Sequence, residues 1–273
     1  MLNFAQSKTY TTMTAQEIVF VGAGNLATHL AAALAQAGHK VKAICSRTAA
    51  SAEALARRVG EGATALTNLD HLPPADVFLL AASDDVLPDL IAALPAHCRN
   101  GIVAHTAGSV SLEVLARFGE KAGVFYPLQT FSKAREVDFT TIPCFVEGAS
   151  AATEQRLLEL AQSVTPTVQV LHSEGRRMLH LSAVFACNFV NHLYDVAAGI
   201  AREQGIDPQW LSPLIQETAA KLNQLPAHAA QTGPAARGDR AVLEHQAELL
   251  AAKPELQTIY RILSDNIYKS FHP

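Results

Sequence analysis

Apolar residues recur along this chain in two rhythms, and the change from one to the other divides it. From Glu17 to Val21 there is a short apolar run, then a glycine turn, then an Ala/Leu-rich stretch from Asn25 to Ala37 with helical spacing. Gly38 closes that helix, and Val41 to Cys45 reads as a second strand. Ala49 to Val59 predicts a second helix, with Thr48 placed as its N-cap. Ala75 to Ala81 is apolar almost throughout, as expected of a strand covered on both faces. Further strands are predicted at 101–104, 122–125, 143–146 and 168–171, with a helix over 151–163. Strands alternating with helices imply a parallel, doubly wound sheet.

After Glu174 the strand signals stop. Arg176 to Glu203 is long, apolar on one side and free of proline. Three more helical stretches follow, with breaks near Gly205–Pro208, Pro226–Gly238 and Pro254. The pattern therefore predicts an α/β fold: a Rossmann, doubly wound, mainly parallel sheet followed by a smaller all-helical domain. The expected divisions are a disordered leader over 1–16, a sheet domain over 17–173 and a helical domain over 174–273. Met13 is an alternative start.

Composition narrows the class. Hydrophobic residues are 49% of the 273, enough to bury a large core, and charged residues only 17%. The net charge of -4 offers no basic field for nucleic acid. No apolar run approaches the roughly 20 residues that span a bilayer. Cys45, Cys98, Cys144 and Cys187 are far apart and form no CxxC pair. They read as reduced thiols of a cytoplasmic protein, with no metal site.

The first chemistry lies in Gly22-Ala23-Gly24-Asn25-Leu26-Ala27, which fits the GxGxxG/A fingerprint of dinucleotide binding. Gly22 permits the tight turn, Gly24 lets the backbone approach a pyrophosphate, and Ala27 keeps helix and sheet close. The helix N-terminus offers free N–H groups and partial positive charge to the phosphates. About 20 residues on, NAD sites place a carboxylate for the ribose 2′-hydroxyl. Here Ser46-Arg47-Thr48 stands instead, and Arg47 can pair with a 2′-phosphate. The expected cofactor is NADP, with Ala82 and Ser83 at a neighbouring strand exit also beside it.

Ligands in such folds bind outside the carboxyl ends of the strands. Ala82-Ser83-Asp84-Asp85, His105-Thr106-Ala107-Gly108-Ser109 and Tyr126-Pro127-Leu128-Gln129-Thr130 follow successive strands. Ser83 and Ser109 also suit helix capping, and His105 is placed to titrate near neutrality. On the long helix, His180, Val184, Cys187 and Asn191 share an arc of about 60° on a wheel of about 3.6 residues per turn. Asn188 lies at its edge. These polar groups need partners, either other side chains or a bound ligand. In Thr232-Gly233-Pro234-Ala235-Ala236-Arg237-Gly238-Asp239, Arg237 suits bidentate binding of a carboxylate or phosphate. Asp239 either pairs with Arg237 or caps the next helix.

The motifs VGAGNLA, HTAGS, YPLQTF, HLSAVFACNFVNHL and TGPAARGD occur in that order, from near Glu17 to the C-terminal part. The chain thereby resembles the 6-phosphogluconate-dehydrogenase-like superfamily, which includes pyrroline-5-carboxylate reductase, ketopantoate reductase and the β-hydroxyacid dehydrogenases. More closely, it is similar to bacterial Rossmann-like proteins with a C-terminal domain of unknown function. The resemblance implies an NADP-dependent oxidoreductase and a homodimer through the helical domain. The lysine that hydroxyacid dehydrogenases and ketopantoate reductases use on the first helix after the sheet has no counterpart from Met178 to Gly199.

The expected reaction is therefore reduction of a small, acidic carbonyl or imine compound, ketopantoate-like or pyrroline-carboxylate-like, with His180 as proton donor. Asn188 would polarise the acceptor or hold the nicotinamide. His105, Ser109, Asn191 and Arg237 would bind the substrate. The missing lysine keeps a different class open, an NADP(H)-binding sensor without turnover.

Overall fold

The computed structural model describes residues 14–273, so the proposed leader up to Met13 lies outside the described residues. Gln16, expected to close that leader, is instead buried, and its backbone N–H donates to Nδ1 of His39 at 3.1 Å. The strands are β1 (Glu17–Val21), β2 (Lys40–Cys45), β3 (Thr64–Leu66), β4 (Val77–Leu80), β5 (Ile102–His105), β6 (Ala122–Pro127), β7 (Cys144–Gly148) and β8 (Val168–Val170). They form one eight-stranded sheet in the order β3-β2-β1-β4-β5-β6-β7-β8. Every pairing is parallel except β6 with β7, where Tyr126 faces Phe145 in antiparallel register. This is the expected Rossmann-like, mainly parallel architecture.

The helices α1 (Asn25–Gln36), α2 (Ala49–Val59), α3 (Leu87–Ala93) and α4 (Ala151–Gln162) cover the sheet. Each sheet face has its own apolar cluster. One joins Ile18, Phe20, Leu30, Leu34 and Phe125; the other joins Val19, Phe78, Leu80, Leu87 and Leu115. Alternate residues of β1 thus point to opposite sides and both are buried, which is why its run is apolar throughout. Cys45, Cys98 and Cys144 are buried in this core and Cys187 is half-buried; all four are free thiols.

Helix α5 (Ser173–Ala183) follows β8, and a π-helical turn over Val184–Phe189 leads into α6 (Val190–Glu203). The chain divides by contacts into two compact units, the first ending at Asn191 and the second comprising His192–Pro273. The division thus falls later than the sequence boundary at 173/174. Arg176 explains why: it is fully buried and bonded to Glu147 of β7, which fastens α5 to the sheet unit.

The second unit is helical, as expected. Beyond α6 it contains α7 (Ser212–Ala220), α8 (Ala227–Ala230), α9 (Pro234–Arg237), α10 (Arg240–Leu249) and α11 (Pro254–Phe271). The breaks fall where Gly205, Pro226 and Pro254 interrupt the pattern. Asp239 caps α10, accepting from the Val242 N–H at 3.3 Å. The apolar side chains of this unit are poorly covered: Trp210 is 75% exposed and Leu249 72%. No helix among the described residues is long and apolar enough to cross a membrane.

Candidate functional site

The glycine turn is built as its sequence requires. Gly22 has φ +115, and a Cβ there would lie 2.1 Å from the carbonyl oxygen of Ala81. Only glycine lets the turn pass this close to the end of β4. The Gly22 N–H donates to Cys45 O, and the Ala81 N–H donates to Val21 O, both at 2.8 Å, so three strand exits are laced together. Gly24 is the N-cap of α1 in extended conformation, with no side-chain cap bond. A Cβ on Gly24 would meet no heavy atom within 4 Å. Asn25 is exposed, Leu26 half-buried and Ala27 fully buried against the sheet. The space beside Gly24 at the N-terminus of α1 is therefore open, which fits the approach of a dinucleotide pyrophosphate.

At the exit of β2, Ser46 is half-buried, while Arg47 and Thr48 are exposed. Thr48 stands at the N-cap of α2 as expected, but its hydroxyl donates to Ser51 Oγ at 2.8 Å rather than capping the helix. At the exit of β4, Ala82 is half-buried and Ser83 exposed. Ser83 does not cap α3; its hydroxyl bonds the Asp85 carboxylate and is the chief cause holding it below the usual carboxylate range. The charge of Arg47 acts on Asp85 in the same direction. The residues that would hold the adenosine phosphates and ribose thus lie together, on adjoining strand ends.

The exits of β5 and β6 differ from expectation. His105 is completely buried. Its Nδ1 accepts the Ala107 N–H at 3.2 Å, which leaves the ring proton on Nε2, a buried atom with no partner among the described residues. Burial, reinforced by the Arg176 charge, pushes its pKa down to about 4. His105 is therefore a neutral core residue that neither titrates near neutrality nor lines an accessible crevice. Ser109 is exposed and its hydroxyl donates to the Asp84 carboxylate; the cap of the following turn is Ser111, which accepts from the Glu113 N–H.

Tyr126, at the end of β6, is 7% exposed, and its hydroxyl lies 2.9 Å from Nδ1 of His180 on α5. The rings meet edge to face, with centroids 6.1 Å apart. Gly108 lies against both: a Cβ there would fall 2.6 Å from His180 Nδ1 and 2.7 Å from Tyr126 Cζ. Nearby, the buried Arg176 guanidinium is paired with Glu147 and donates to Val110 O at 2.5 Å and to Ser173 Oγ at 3.2 Å. Burial alone would raise Glu147, but its bonds to Arg176 and Ser173 outweigh this and hold it below the carboxylate range.

Tyr126, Gly108 and the Glu147–Arg176 pair carry no site role in the sequence prediction. A carboxylate in the apolar strand 144–148 is the available signal, since a buried charge demands a partner. The helical wheel does not hold through the π-helical turn. Such a turn inserts residues relative to an α-helix, and one inserted residue displaces everything beyond it by about 100°. Asn191, beyond the turn, thus leaves the His180 arc; Asn188, within it, is exposed, as is Asn191. Arg237 ends the short α9 of the second unit and is exposed. No group of His, Cys, Asp or Glu suited to a metal occurs among the described residues.

Comparison with known proteins agrees with the fold. A Rossmann-like domain model matches residues 6–130, and a domain-of-unknown-function model, DUF2520, matches residues 142–267. A candidate NADP oxidoreductase from Bacteroides fragilis is 39% identical, with 93% of this chain and 98% of that one covered and a TM-score of 0.87. An imine reductase from Streptomyces aurantiacus shares the fold at 18% identity, covering 93% of this chain and 94% of that one, with a TM-score of 0.64. A pyrroline-5-carboxylate reductase from Coxiella burnetii does so at 15% identity, covering 94% and 99%, with a TM-score of 0.56. No curated protein sequence matches. With its glycine turn, its helical second unit and this Bacteroides relative along nearly its whole length, the chain belongs to the family of Rossmann-like proteins that carry the DUF2520 domain.

Proposed function

We propose that this protein is an NADP(H)-dependent oxidoreductase that reduces a small carbonyl or imine compound, with His180 giving the proton. The observation that carries the proposal is the Tyr126–His180 pair at the end of β6, in the same sheet unit as the glycine turn. Residues 17–173 form the nucleotide-binding part in this reading. Gly22 to Ala27, Ser46 to Thr48, Ala82 and Ser83 hold the cofactor, and Arg47 selects the 2′-phosphate. The reduced nicotinamide supplies hydride when bound. His180 supplies the proton that balances it, the usual task of a positioned imidazole.

Asn188 polarises the acceptor and Ser109 contacts it. Ketopantoate-like and pyrroline-carboxylate-like compounds are the acceptors to try first. Solvent-exposed Met178, Leu181, Phe185 and Phe189 along α5 and the π-helical turn support self-association as a homodimer through the helical region. The Bacteroides fragilis relative supports the choice of NADP.

The test is a panel of 2-keto acids and cyclic imines, followed by NADPH oxidation and repeated with NADH. Turnover with at least one member, lost in His180→Ala, supports the reductase. Saturable NADPH binding without oxidation across the panel leaves the sensor as the function. Sedimentation of the purified chain decides the dimer.

A further inference from the structure

The hydrogen bond between Tyr126 and His180 runs in one direction or the other according to which ring nitrogen carries the proton. A neutral imidazole carries one N–H and one bare nitrogen, and a phenol can donate or accept. Burial raises the Tyr126 pKa; the Arg176 charge opposes this and Asp84 adds to it, with a net upward shift. The phenol therefore keeps its proton at neutral pH. Arg176 of α5 is neutralised by Glu147 of β7, and Asp84 beyond β4 is occupied by Ser109. His105 of β5 is neutral, with its Nδ1 taken by Ala107. The geometry of the pair is constrained as well, because Gly108 leaves room for both rings where any Cβ would collide with them.

We propose that Tyr126 is the positioning residue of His180: its hydroxyl donates to Nδ1, fixes the ring proton on Nε2, and serves as the proton reserve behind it. The inference rests on the reductase reading above. When the acceptor is reduced, for which a bound reduced nicotinamide would supply the hydride, the Nε2–H bond breaks and its proton goes to the acceptor oxygen or nitrogen. The Tyr126 O–H bond breaks and a new N–H bond forms at Nδ1. The imidazole ends neutral, with its proton on the other nitrogen. The phenolate left on Tyr126 is reprotonated from solvent. Without the tyrosine, His180 would have to give up its only ring proton with nothing to replace it, or wait to be protonated from solvent.

Two measurements on the full chain test this. In the first, ring nitrogens of histidine-labelled protein are observed by NMR, with His180 assigned through its substitution by glutamine. With the pH set so that the ring is neutral, the expected wild-type signature is a proton on Nε2 with Nδ1 bare; Tyr126→Phe should convert it to a mixture of tautomers. A wild-type proton on Nδ1, or an unchanged tautomer ratio in Tyr126→Phe, overturns the proposal. The wild-type spectrum decides even if that variant does not fold, and it does so whether or not an acceptor is found. In the second, the fastest acceptor of the panel is used. Tyr126→Phe should lower kcat about 100-fold with KM little changed, and the alkaline limb of the kcat profile should move to lower pH. Equal kcat in the two proteins overturns the proton reserve. Absence of any turnover, with the tautomer as expected, would instead fault the reductase reading and leave the positioning role standing.

Discussion

The two glycines of the nucleotide turn should fail in different ways when each is replaced by alanine. At Gly22 the backbone has φ +115, and the added methyl would sit 2.1 Å from Ala81 O and 2.6 Å from its carbonyl carbon. Ala81 cannot simply retreat, because its N–H is bonded to Val21 O at the end of β1. Holding a non-glycine residue in such a conformation costs about 1–3 kcal/mol. Forcing extra volume into packed structure costs about 1–3 kcal/mol more. The sum, about 2–6 kcal/mol, is a large share of the roughly 5–15 kcal/mol that holds a typical domain together. Gly24 has φ -78 and nothing within 4 Å of the added carbon, so Gly24→Ala should change stability by no more than about 0.5 kcal/mol. The methyl would, however, occupy the open space before the N-terminus of α1. The expected result is an NADPH Kd at least about tenfold higher, equivalent to about 1.4 kcal/mol. Urea unfolding and a titration of NADPH fluorescence measure the two quantities separately. Wild-type NADPH affinity in a folded Gly24→Ala would refute the placement of the pyrophosphate at this turn. A stability loss as large as that of Gly22→Ala would refute the steric distinction.

His105 should make stability depend on pH. Its pKa is driven from 6.5 down to about 4 by burial and then by Arg176, so the unfolded chain binds the extra proton and the folded one does not. Stability is therefore present above pH 6.5 and is lost as pH falls toward 4, by about 3 kcal/mol in all. Urea unfolding across that range should show the slope in wild type and its reduction in His105→Asn; parallel curves would contradict the assignment. Arg176→Met leaves Glu147 buried without its cation and should cost about 3–5 kcal/mol in chemical denaturation, with much of it recovered when Glu147→Gln is added. A loss below about 1 kcal/mol would show that the pair does not hold α5 to the sheet. Arg47→Ala should lower the preference for NADPH over NADH at least about tenfold, measured by the two Kd values, with NADH affinity little changed.

How much of this molecule is legible in its sequence depends on how local each feature is. The glycine turn is local: strand, Gly22, Gly24 and helix follow one another within a few residues, and the backbone realises each requirement in place. Strand periodicity is local too, but it has no sign. The run near 143–146 is recognisable as a strand, while its antiparallel pairing with β6 is a property of the connection. The three residues of β3, only partly buried at the sheet edge, carry too little pattern to mark their bounds. The cessation of strand signals after Glu174 marks the end of the sheet, whereas the end of the first unit is set by what α5 touches. Those contacts join residues far apart: Glu147 with Arg176, and Tyr126 with His180. In a helix pattern a charged Arg176 looks like a solvated position, and only its distant partner makes its burial tolerable. The π-helical turn has no residue signature either, so a wheel drawn through Val184–Phe189 assigns Asn191 to a face it does not share. The chemistry proposed for this site thus depends on the part of the structure that spacing cannot encode. His180 stands out in the sequence as an unusual polar residue on an apolar helix; its hydrogen-bond partner, Tyr126, lies on a distant strand that no helical spacing can reveal.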